Sequence, residues 1–388
     1  MEEISFNQIE QIWAHNDKPT QLYIHSAFCK SICKYCAYKG HIYDEALYKK
    51  YFFEYLPSQI EKYKHIIDSQ HINSIYFGGG TPNTEEDLAN LEPTFKLLHD
   101  VKFVEKVIEL HTGLPISDKT IEVLKRENFT TAILGVQTFD KEKLKAENRL
   151  CIVQNNLDEL IGKFHKAGIK VGTDFIDFPD DSNRIVNDVL AFKAYVNKPD
   201  EITVAQLYAN KKYEHIYAFF TGLINIGYIP EDVDKISGRR CWRFIHPDSA
   251  AEFTKSFYSF MPYLTETGAG IGSDSYYTCC LGIGSTTGMI KQTYSRVGYN
   301  TYYEEWDGTN TKYYIRRCPT LKQLILNSID KFPDNIPSGS TIEMQFFAPN
   351  DYDNKQAKDG PTLNVKFTIP SVKIQALKSE EEKFRLFF

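Results

Sequence analysis

Short apolar runs alternate with longer amphipathic segments along the first part of the chain, up to about residue 225. Apolar runs bounded by Gly, Pro or polar clusters are typical of buried strands, and longer segments with a helical period are typical of surface helices. The pattern predicts strands at residues 21–25, 72–77, 104–111, 130–136, 168–176 and 201–207. It predicts helices at residues 1–18, 43–67, 84–98, 117–127, 182–196 and 213–225, with further helical material up to residue 166.

This alternation of strands and helices with short connections predicts an α/β fold, in which a parallel sheet is covered by helices. The pattern alone does not separate a six-unit partial barrel from an open doubly wound sheet. We expect the helix at residues 43–67 to bend near Pro57, because proline cannot donate the backbone hydrogen bond that a helix interior requires.

After about residue 228 the alternation is lost. Residues 342–347 and 363–372 are predicted strands joined by a polar loop, and residues 379–388 are predicted to be helical. We therefore divide the chain into a catalytic domain at residues 1–229 and a substrate-covering α+β region at residues 230–388.

Three cysteines, Cys29, Cys33 and Cys36, follow the first apolar run in CxxxCxxC order. Thiolates are the soft ligands of iron–sulfur clusters, and cysteines this close on one loop can bind the same cluster. Three thiolates leave the fourth iron of a [4Fe–4S] cubane open to a ligand that is not a protein side chain. A zinc site would need a fourth protein ligand, for which the sequence offers no second CxxC or HxxxH pair. A buried cysteine cluster without metal is the remaining alternative.

The other cysteines lack such spacing, and we expect them to be reduced and mostly buried. They are Cys151, Cys241, Cys279, Cys280 and Cys318.

Composition and charge narrow the class of protein. The chain has 388 residues, of which 42% are hydrophobic, enough for a large core. The net charge is −6 and no long basic run is present, so we expect no nucleic-acid partner. No apolar run reaches the roughly 18 residues that a membrane span needs, and the first residues do not resemble a leader peptide. We therefore expect a cytoplasmic protein without a membrane partner.

The stretch LYIHSAFCKSICKYCAYKG at residues 22–40, followed by YFGGGTPN at residues 76–83, resembles radical SAM proteins related to oxygen-independent coproporphyrinogen III oxidase. This family also contains haem chaperones and two-SAM methyltransferases and cyclopropanases. The resemblance continues through LGVQTFD, AENR, GTDFIDFPD and LGIGSTTGMI, at residues 134–140, 146–149, 172–180 and 281–290. It implies a partial (β/α)6 radical SAM barrel, a [4Fe–4S] cluster held by the three cysteines, and S-adenosylmethionine (SAM) bound to the open iron.

The resemblance also implies which residues contact this SAM. It places the methionine end of SAM at a glycine turn that includes Gly79 and Gly80, and it gives Tyr23 and Glu109 contacts with the cofactor. A buried glutamate is costly without a partner, which also favours a ligand or salt-bridge role for Glu109. His111 stands where the family has an acidic residue or asparagine, and a core histidine is an equally good interpretation.

A second group of residues matches positions that hold a second SAM in the oxidase. These residues are Tyr35, Gly80, Thr81, Gln137, Arg149 and Asp174. Arginine can bind a carboxylate through two hydrogen bonds and aspartate can bind a ribose diol, so the residue types suit this role. Loop bracing is the alternative for Gln137 and Arg149. We expect a second SAM, or a substrate group in its place.

The sequence departs from the family at several positions. Ser26-Ala27 replaces an Ile-Pro pair, Asp177-Phe178-Pro179 replaces part of an aromatic-Gly-Leu-Pro run, and SRVGYNTYY at residues 295–303 replaces the His-Asn haem motif of the chaperones. These departures count against the oxidase activity and against the haem chaperone activity, and they leave the radical SAM residues intact.

The resemblance implies an enzyme that cleaves SAM reductively to a 5′-deoxyadenosyl radical, which then abstracts hydrogen from a tetrapyrrole or another small molecule. Oxidative decarboxylation of coproporphyrinogen type competes with two-SAM methyl transfer or cyclopropanation. A haem chaperone-like carrier without turnover and a degenerate, inactive barrel are the alternatives. The expected partners are a small-molecule substrate and a flavodoxin- or ferredoxin-type electron donor, and we expect a monomer.

Overall fold

The structure is a computed structural model that describes residues 2–14, 20–36, 41–80, 85–150, 156–207, 216–230, 234–236, 239–249, 279–283, 294–297, 300–317, 341–347 and 362–368. Its strands are β1 (Glu2–Ile4), β2 (Thr20–Ser26), β3 (Phe28–Cys29), β4 (His41–Ile42), β5 (Ile72–Gly79), β6 (Glu105–His111), β7 (Thr131–Gln137), β8 (Lys170–Asp177), β9 (Glu201–Gln206), β10 (Ile229–Pro230), β11 (Asp234–Ile236), β12 (Arg239–Ile245), β13 (Cys279–Ile283), β14 (Tyr294–Val297), β15 (Asn300–Trp306), β16 (Thr311–Arg317), β17 (Thr341–Phe347) and β18 (Thr362–Thr368). Its α-helices are α1 (Phe6–Trp13), α2 (Glu45–Lys50), α3 (Leu56–Ser69), α4 (Glu85–Asn90), α5 (Glu92–Leu97), α6 (Asp118–Arg126), α7 (Lys141–Ala146), α8 (Leu157–Lys166), α9 (Ser182–Ala191) and α10 (Ile216–Asn225).

A block of parallel strands forms the centre of the main sheet. Strands β2, β5, β6, β7, β8 and β9 pair in this order, each parallel to the next. These are the six strands that the apolar runs predict, and the α/β class is confirmed. Within the described residues no ladder joins the two ends of this sheet, so the barrel is open.

Strands after residue 230 extend the sheet at both edges. Strand β12 pairs antiparallel with β9, and β13 adds a seventh parallel strand beside β2. From β13 the sheet continues through β14, β15 and β16 in antiparallel order to β1. The apolar pattern does not predict these strands. Strand β13, for example, is short and lies in a glycine-rich region without a clear alternation.

Several predicted elements differ in detail. Residues 1–18 were expected to be helical, but β1 precedes α1, and its residues pair with β16 more than three hundred positions along the chain. Helix formation is a local preference, and a distant partner strand overrides it here. The helix expected at 84–98 is two helices, α4 and α5, with Pro93 in the first turn of the second.

The helix predicted at residues 43–67 has an irregular turn in its centre. Helix α2 passes through a π-helical turn at Tyr51–Tyr55 into α3, and Pro57 lies in the first turn of α3. Proline is tolerated there, since the widened turn ends just before it. The expected irregularity near Pro57 is therefore present, one turn earlier than the proline itself.

The C-terminal strands pack on this widened turn. The Tyr55 hydroxyl donates to Glu304 Oε1 at 2.9 Å, and the Tyr55 ring stacks on Trp306 with 4.6 Å between centroids. Tyr313 donates to Gln59 at 2.9 Å. These contacts fix the π-helical turn and α3 against β15 and β16.

Two further C-terminal strands, β17 and β18, form an antiparallel pair that agrees with the strands predicted at 342–347 and 363–372. The helix predicted at 379–388 and the loop between these strands lie outside the described residues. The division of the chain at residue 230 stays a prediction. None of the helices that the structure describes is long and apolar enough to cross a lipid bilayer.

Lys106 is a buried cation near the start of β6. Its ammonium group donates to the Glu127 carbonyl at the end of α6 (2.8 Å) and lies 4.6 Å from the centroid of the Phe129 ring. Burial lowers the pKa of Lys106 to about 8. One carbonyl and the aromatic faces replace water around the charge, and the lowered pKa shows that they compensate only in part for the loss of water.

We expect Lys106→Met to change how stability depends on pH. Native Lys106 releases its proton above about pH 8, whereas an unfolded lysine keeps it up to about pH 10.4, so the unfolded state binds more protons between these values. The free energy of unfolding of the wild type should therefore rise with pH relative to that of Lys106→Met, by at most about 1.4 kcal/mol per pH unit. Urea unfolding of both proteins from pH 7 to pH 10 measures this.

Lys125→Met on the exposed face of α6 is the matched control. It should leave the pH dependence of the wild type unchanged. Parallel stability curves for the wild type and Lys106→Met would contradict the assignment.

Candidate functional site

The three motif cysteines lie in one loop at the carboxyl end of β2. Cys29 ends β3, and Cys33 and Cys36 follow in a turn in which the Cys36 N–H donates to the Cys33 carbonyl at 3.2 Å. The Tyr43 N–H donates to the Cys29 carbonyl at 3.1 Å. All three cysteines are free thiols.

The thiols lie close enough to influence one another. Burial, together with the neighbouring Cys36 and Cys33, raises the pKa of Cys29 to about 12, against the opposing charge of Arg149. Three thiolates on one short loop repel one another, and a cationic metal group offsets that repulsion.

The donor set of the loop is three free thiols. Among the residues that the structure describes, no three His, Cys, Asp or Glu side chains are close enough to share one metal ion. Thiolates are the soft donors that iron–sulfur clusters take, so the chemistry of the three thiols fits a [4Fe–4S] cluster.

The glycine turn after β5 passes directly against the start of the cysteine loop. Gly79 has φ +101°, in the left-handed region, and a Cβ there would collide with the His25 ring. The Gly80 N–H donates to the Ser26 carbonyl, and a Cβ on Gly80 would collide with the Phe28 backbone. Glycine is therefore required at both positions by close backbone approach. Thr81 lies outside the described residues.

Glu109 on β6 faces this glycine turn. Its Oε1 accepts a hydrogen bond from the Tyr76 hydroxyl, and its Oε2 accepts one from the Gly79 N–H at 3.0 Å. Burial raises the pKa of Glu109, and the two hydrogen bonds oppose this effect. The charge of Glu109 also acts on the Cys29 thiol. The carboxylate therefore lies between the glycine turn and the cysteines, where a cationic ligand group would stabilise it.

Tyr23 lies beside the same turn, on β2. Its hydroxyl is 3.1 Å from His25 Nδ1, and its ring stacks on Tyr76 with 5.7 Å between centroids. Burial lowers the pKa of His25 to about 3, so the ring is neutral at physiological pH, and its Nε2 has no partner among the described residues. Tyr76 was not predicted as a site residue, although it stands two positions before Gly78 in the motif YFGGGTPN.

His111 is held by the backbone of its own turn. Its Nδ1 accepts the Gly113 N–H at 2.8 Å, and burial lowers its pKa to about 3, with Arg149 adding to the effect. This bond is what the interpretation as a core histidine predicts.

Three of the residues predicted to hold a second SAM, Gln137, Arg149 and Asp174, meet at Gly135 on β7. A Cβ on Gly135 would lie 2.8 Å from Arg149 Nη2 and 3.1 Å from Gln137 Nε2, and Arg149 Nη2 donates to the Gly135 carbonyl. Asp174 is the partner of Gly135 in the ladder between β7 and β8. Gln137 has φ +70° at an irregularity in this ladder, a strained conformation for a residue other than glycine.

Tyr35 and Arg149 connect this second group to the cysteines. Arg149 Nη1 lies 3.6 Å from Cys33 Sγ, and Arg149 Nε is buried without an acceptor among the described residues. Burial raises the pKa of Tyr35, Arg149 opposes the rise, and Cys33 adds to it. The Tyr35 ring packs edge-on against Phe178 at 5.4 Å. The structure therefore places Tyr35 and Arg149 next to the cysteine loop, and Gln137 and Asp174 lie with Arg149 at Gly135.

Known proteins resemble this chain over the same region. Residues 23–190 match the sequence profile of the radical SAM superfamily. The haem chaperone HemW of Buchnera aphidicola (Acyrthosiphon pisum) is 28% identical over 136 residues, covering 34% of this chain and 35% of the chaperone. The oxygen-independent coproporphyrinogen III oxidase of Pseudomonas aeruginosa is 27% identical over 203 residues, covering 48% of this chain and 42% of the oxidase. The chain thus matches only about a third to two-fifths of the length of these relatives.

A solved structure supports the architecture. The coproporphyrinogen III oxidase of Escherichia coli, a radical SAM enzyme, superposes with a TM-score of 0.55 at 19% identity, over 78% of this chain and 70% of that one. At this identity the similarity establishes the fold and nothing further. The predicted fold is confirmed, and residues 23–190 of this chain are similar in sequence to the radical SAM superfamily.

Proposed function

We propose that this chain is a radical SAM enzyme that binds a [4Fe–4S] cluster through Cys29, Cys33 and Cys36. The observation that carries the proposal is the meeting of three free thiols with the glycine turn and Glu109 at the carboxyl ends of adjacent parallel strands. In such barrels the chemistry occurs at these strand ends.

When bound, the reduced cluster supplies the electron that cleaves SAM to a 5′-deoxyadenosyl radical. The residues of the chain hold SAM in place for this reaction. The carboxylate of Glu109 would hold the amino group of SAM, together with backbone groups of the glycine turn. The stacked rings of Tyr23 and Tyr76 form an apolar wall beside it and exclude water.

The substrate is a tetrapyrrole or another small molecule. The oxidase relative, whose name specifies coproporphyrinogen III, and the haem chaperone relative both favour a tetrapyrrole. An acidic one-electron carrier of the flavodoxin or ferredoxin type is the proposed electron donor, and the chain is proposed to act as a monomer in the cytoplasm.

A second candidate is two-SAM methyl transfer or cyclopropanation. The meeting of Gln137, Arg149 and Asp174 at Gly135, with Tyr35 near Arg149, favours it. Arg149 suits a carboxylate and Asp174 suits a ribose diol, so the group can hold a second SAM close to the first.

Product analysis distinguishes the candidates. The reconstituted protein is incubated anaerobically with SAM, dithionite and coproporphyrinogen III, and the adenosine products are identified by mass spectrometry. Deoxyadenosine with carbon dioxide indicates decarboxylation, whereas methylthioadenosine and S-adenosylhomocysteine indicate alkyl transfer. Stoichiometric haem binding without deoxyadenosine would instead identify a haem carrier of the chaperone type.

We expect Cys33→Ala to abolish cluster binding. The wild type, reconstituted anaerobically, should carry about four irons per chain and a brown chromophore, because three thiolates suffice to hold a cubane. Cys33→Ala should retain less than one iron. Iron and sulfide assays with absorption spectroscopy measure both.

Cys241→Ala, on β12, is the control and should bind iron like the wild type. A wild type without iron, or a Cys33→Ala variant with a full complement, would refute the assignment.

We expect Glu109→Gln to weaken SAM binding without removing the cluster. The loss of a charged hydrogen-bond partner corresponds to about a tenfold to hundredfold weaker affinity. Equilibrium dialysis of labelled SAM against the iron-loaded variant measures this, with deoxyadenosine formation as a second readout.

Glu105→Gln is the matched control, since Glu105 is a buried glutamate at the other end of the same strand, where it accepts a hydrogen bond from Thr131. It should bind SAM like the wild type. Equal SAM affinity in all three proteins would show that Glu109 does not contact SAM.

A further inference from the structure

Helix α7 ends in a left-handed turn that faces the cysteine loop, residues 29–36. The Asn148 N–H donates to the Lys145 carbonyl at 3.0 Å and the Arg149 N–H donates to the Leu144 carbonyl at 2.8 Å, with Asn148 at φ +57°. This is a Schellman turn, in which asparagine takes the position that usually needs glycine. We call residues 146–149, which read AENR, the AENR turn.

The AENR turn forms hydrogen bonds to the cysteine loop across more than one hundred positions of sequence. The Lys34 N–H donates to the Glu147 carbonyl at 2.9 Å, and Lys34 Nζ donates to the Ala146 carbonyl at 2.6 Å. The Asn148 side-chain amide donates to the Ile32 carbonyl at 2.9 Å. The last carbonyls of a helix have no partner within the helix, and Lys34 satisfies two of them here.

These hydrogen bonds lie on both sides of one cysteine. Ile32 precedes Cys33 and Lys34 follows it, so the backbone is fixed immediately before and after this residue. Arg149 of the same turn places Nη1 3.6 Å from Cys33 Sγ. The position of this thiol is therefore set by the end of α7 as well as by the loop itself.

We propose that Asn148 and Lys34 are positioning residues that hold the cysteine loop in the geometry that accepts the cluster. The proposal rests on the proposed function, since it requires that the loop carries a cluster. The residues act through Cys33 and do not contact SAM or substrate. Their effect is on how firmly the cluster is retained, because one thiolate of three is held by the contact.

The chain contains a matched control for the turn itself. Helix α6 ends in the same way: the Asn128 N–H donates to the Lys125 carbonyl at 3.1 Å, the Phe129 N–H donates to the Leu124 carbonyl at 2.9 Å, and Asn128 has φ +58°. Asn128 precedes β7, at the end of the parallel block opposite to the cysteines, and its side chain is exposed. Asn128→Gly and Asn148→Gly therefore make the same backbone change, and only the second removes a contact with the loop.

The test compares both variants with the wild type after anaerobic reconstitution of the full chain. Asn148→Gly should lose iron to a ferrous chelator about fivefold faster than the wild type, as expected for the loss of one hydrogen bond. Asn128→Gly should lose iron at the wild-type rate. The electron paramagnetic resonance spectrum of the reduced cluster should change only in Asn148→Gly.

Lys34→Met tests the other half of the contact. It removes the ammonium group and keeps the backbone N–H, so it should also accelerate iron loss. The double variant Lys34→Met/Asn148→Gly should lose iron faster than the wild type by less than the product of the two single accelerations, because both residues act through the same turn.

The outcomes separate this inference from the proposed function. If the wild type binds a cluster and Asn148→Gly retains it as firmly, with an unchanged spectrum, the positioning role is wrong and the proposed function stands. If the wild type takes up no iron, both are wrong. Equal acceleration in Asn148→Gly and Asn128→Gly would indicate a general loss of stability and would also overturn the positioning role.

Discussion

The site depends on holding three cysteines, whose thiolates repel one another, in one short loop. Burial and the neighbouring Cys33 and Cys36 all raise the pKa of the Cys29 thiol, so the loop resists forming three thiolates unless positive charge enters it. Arg149 supplies one fixed positive charge from the protein. The bound metals of the proposed cluster would supply the rest of the positive charge. Metal binding and the geometry of the loop would therefore depend on each other.

The parallel strands convert positions far apart in sequence into one site. Glu109 on β6 reaches the glycine turn after β5, which in turn lies against the end of β2 and the start of the cysteine loop. Asp174 on β8 lies opposite Gly135 on β7. Because the strands from β2 to β9 in the parallel block all point the same way, each motif at the end of one of them arrives at the same edge of the sheet.

This regularity explains how much the sequence could predict. The six parallel strands follow from apolar periodicity, whereas the predicted site residues come from the resemblance to radical SAM proteins. The pairing of β1 with β16 and of β13 with β2 could not be predicted, since both depend on a partner far along the chain and neither strand has a strong local pattern. Tyr76 was missed because an apolar strand position does not reveal that its hydroxyl reaches Glu109.

The two asparagine turns show, for single residues, that local sequence does not predict long-range contacts. Asn128 and Asn148 end their helices with the same hydrogen bonds and nearly the same φ, and local sequence is sufficient to favour such a turn. Only the fold determines that one of them meets the cysteine loop, where the otherwise unpaired carbonyls at the end of α7 accept hydrogen bonds from Lys34. A common helix ending thereby becomes a support for Cys33 because of where the barrel places it.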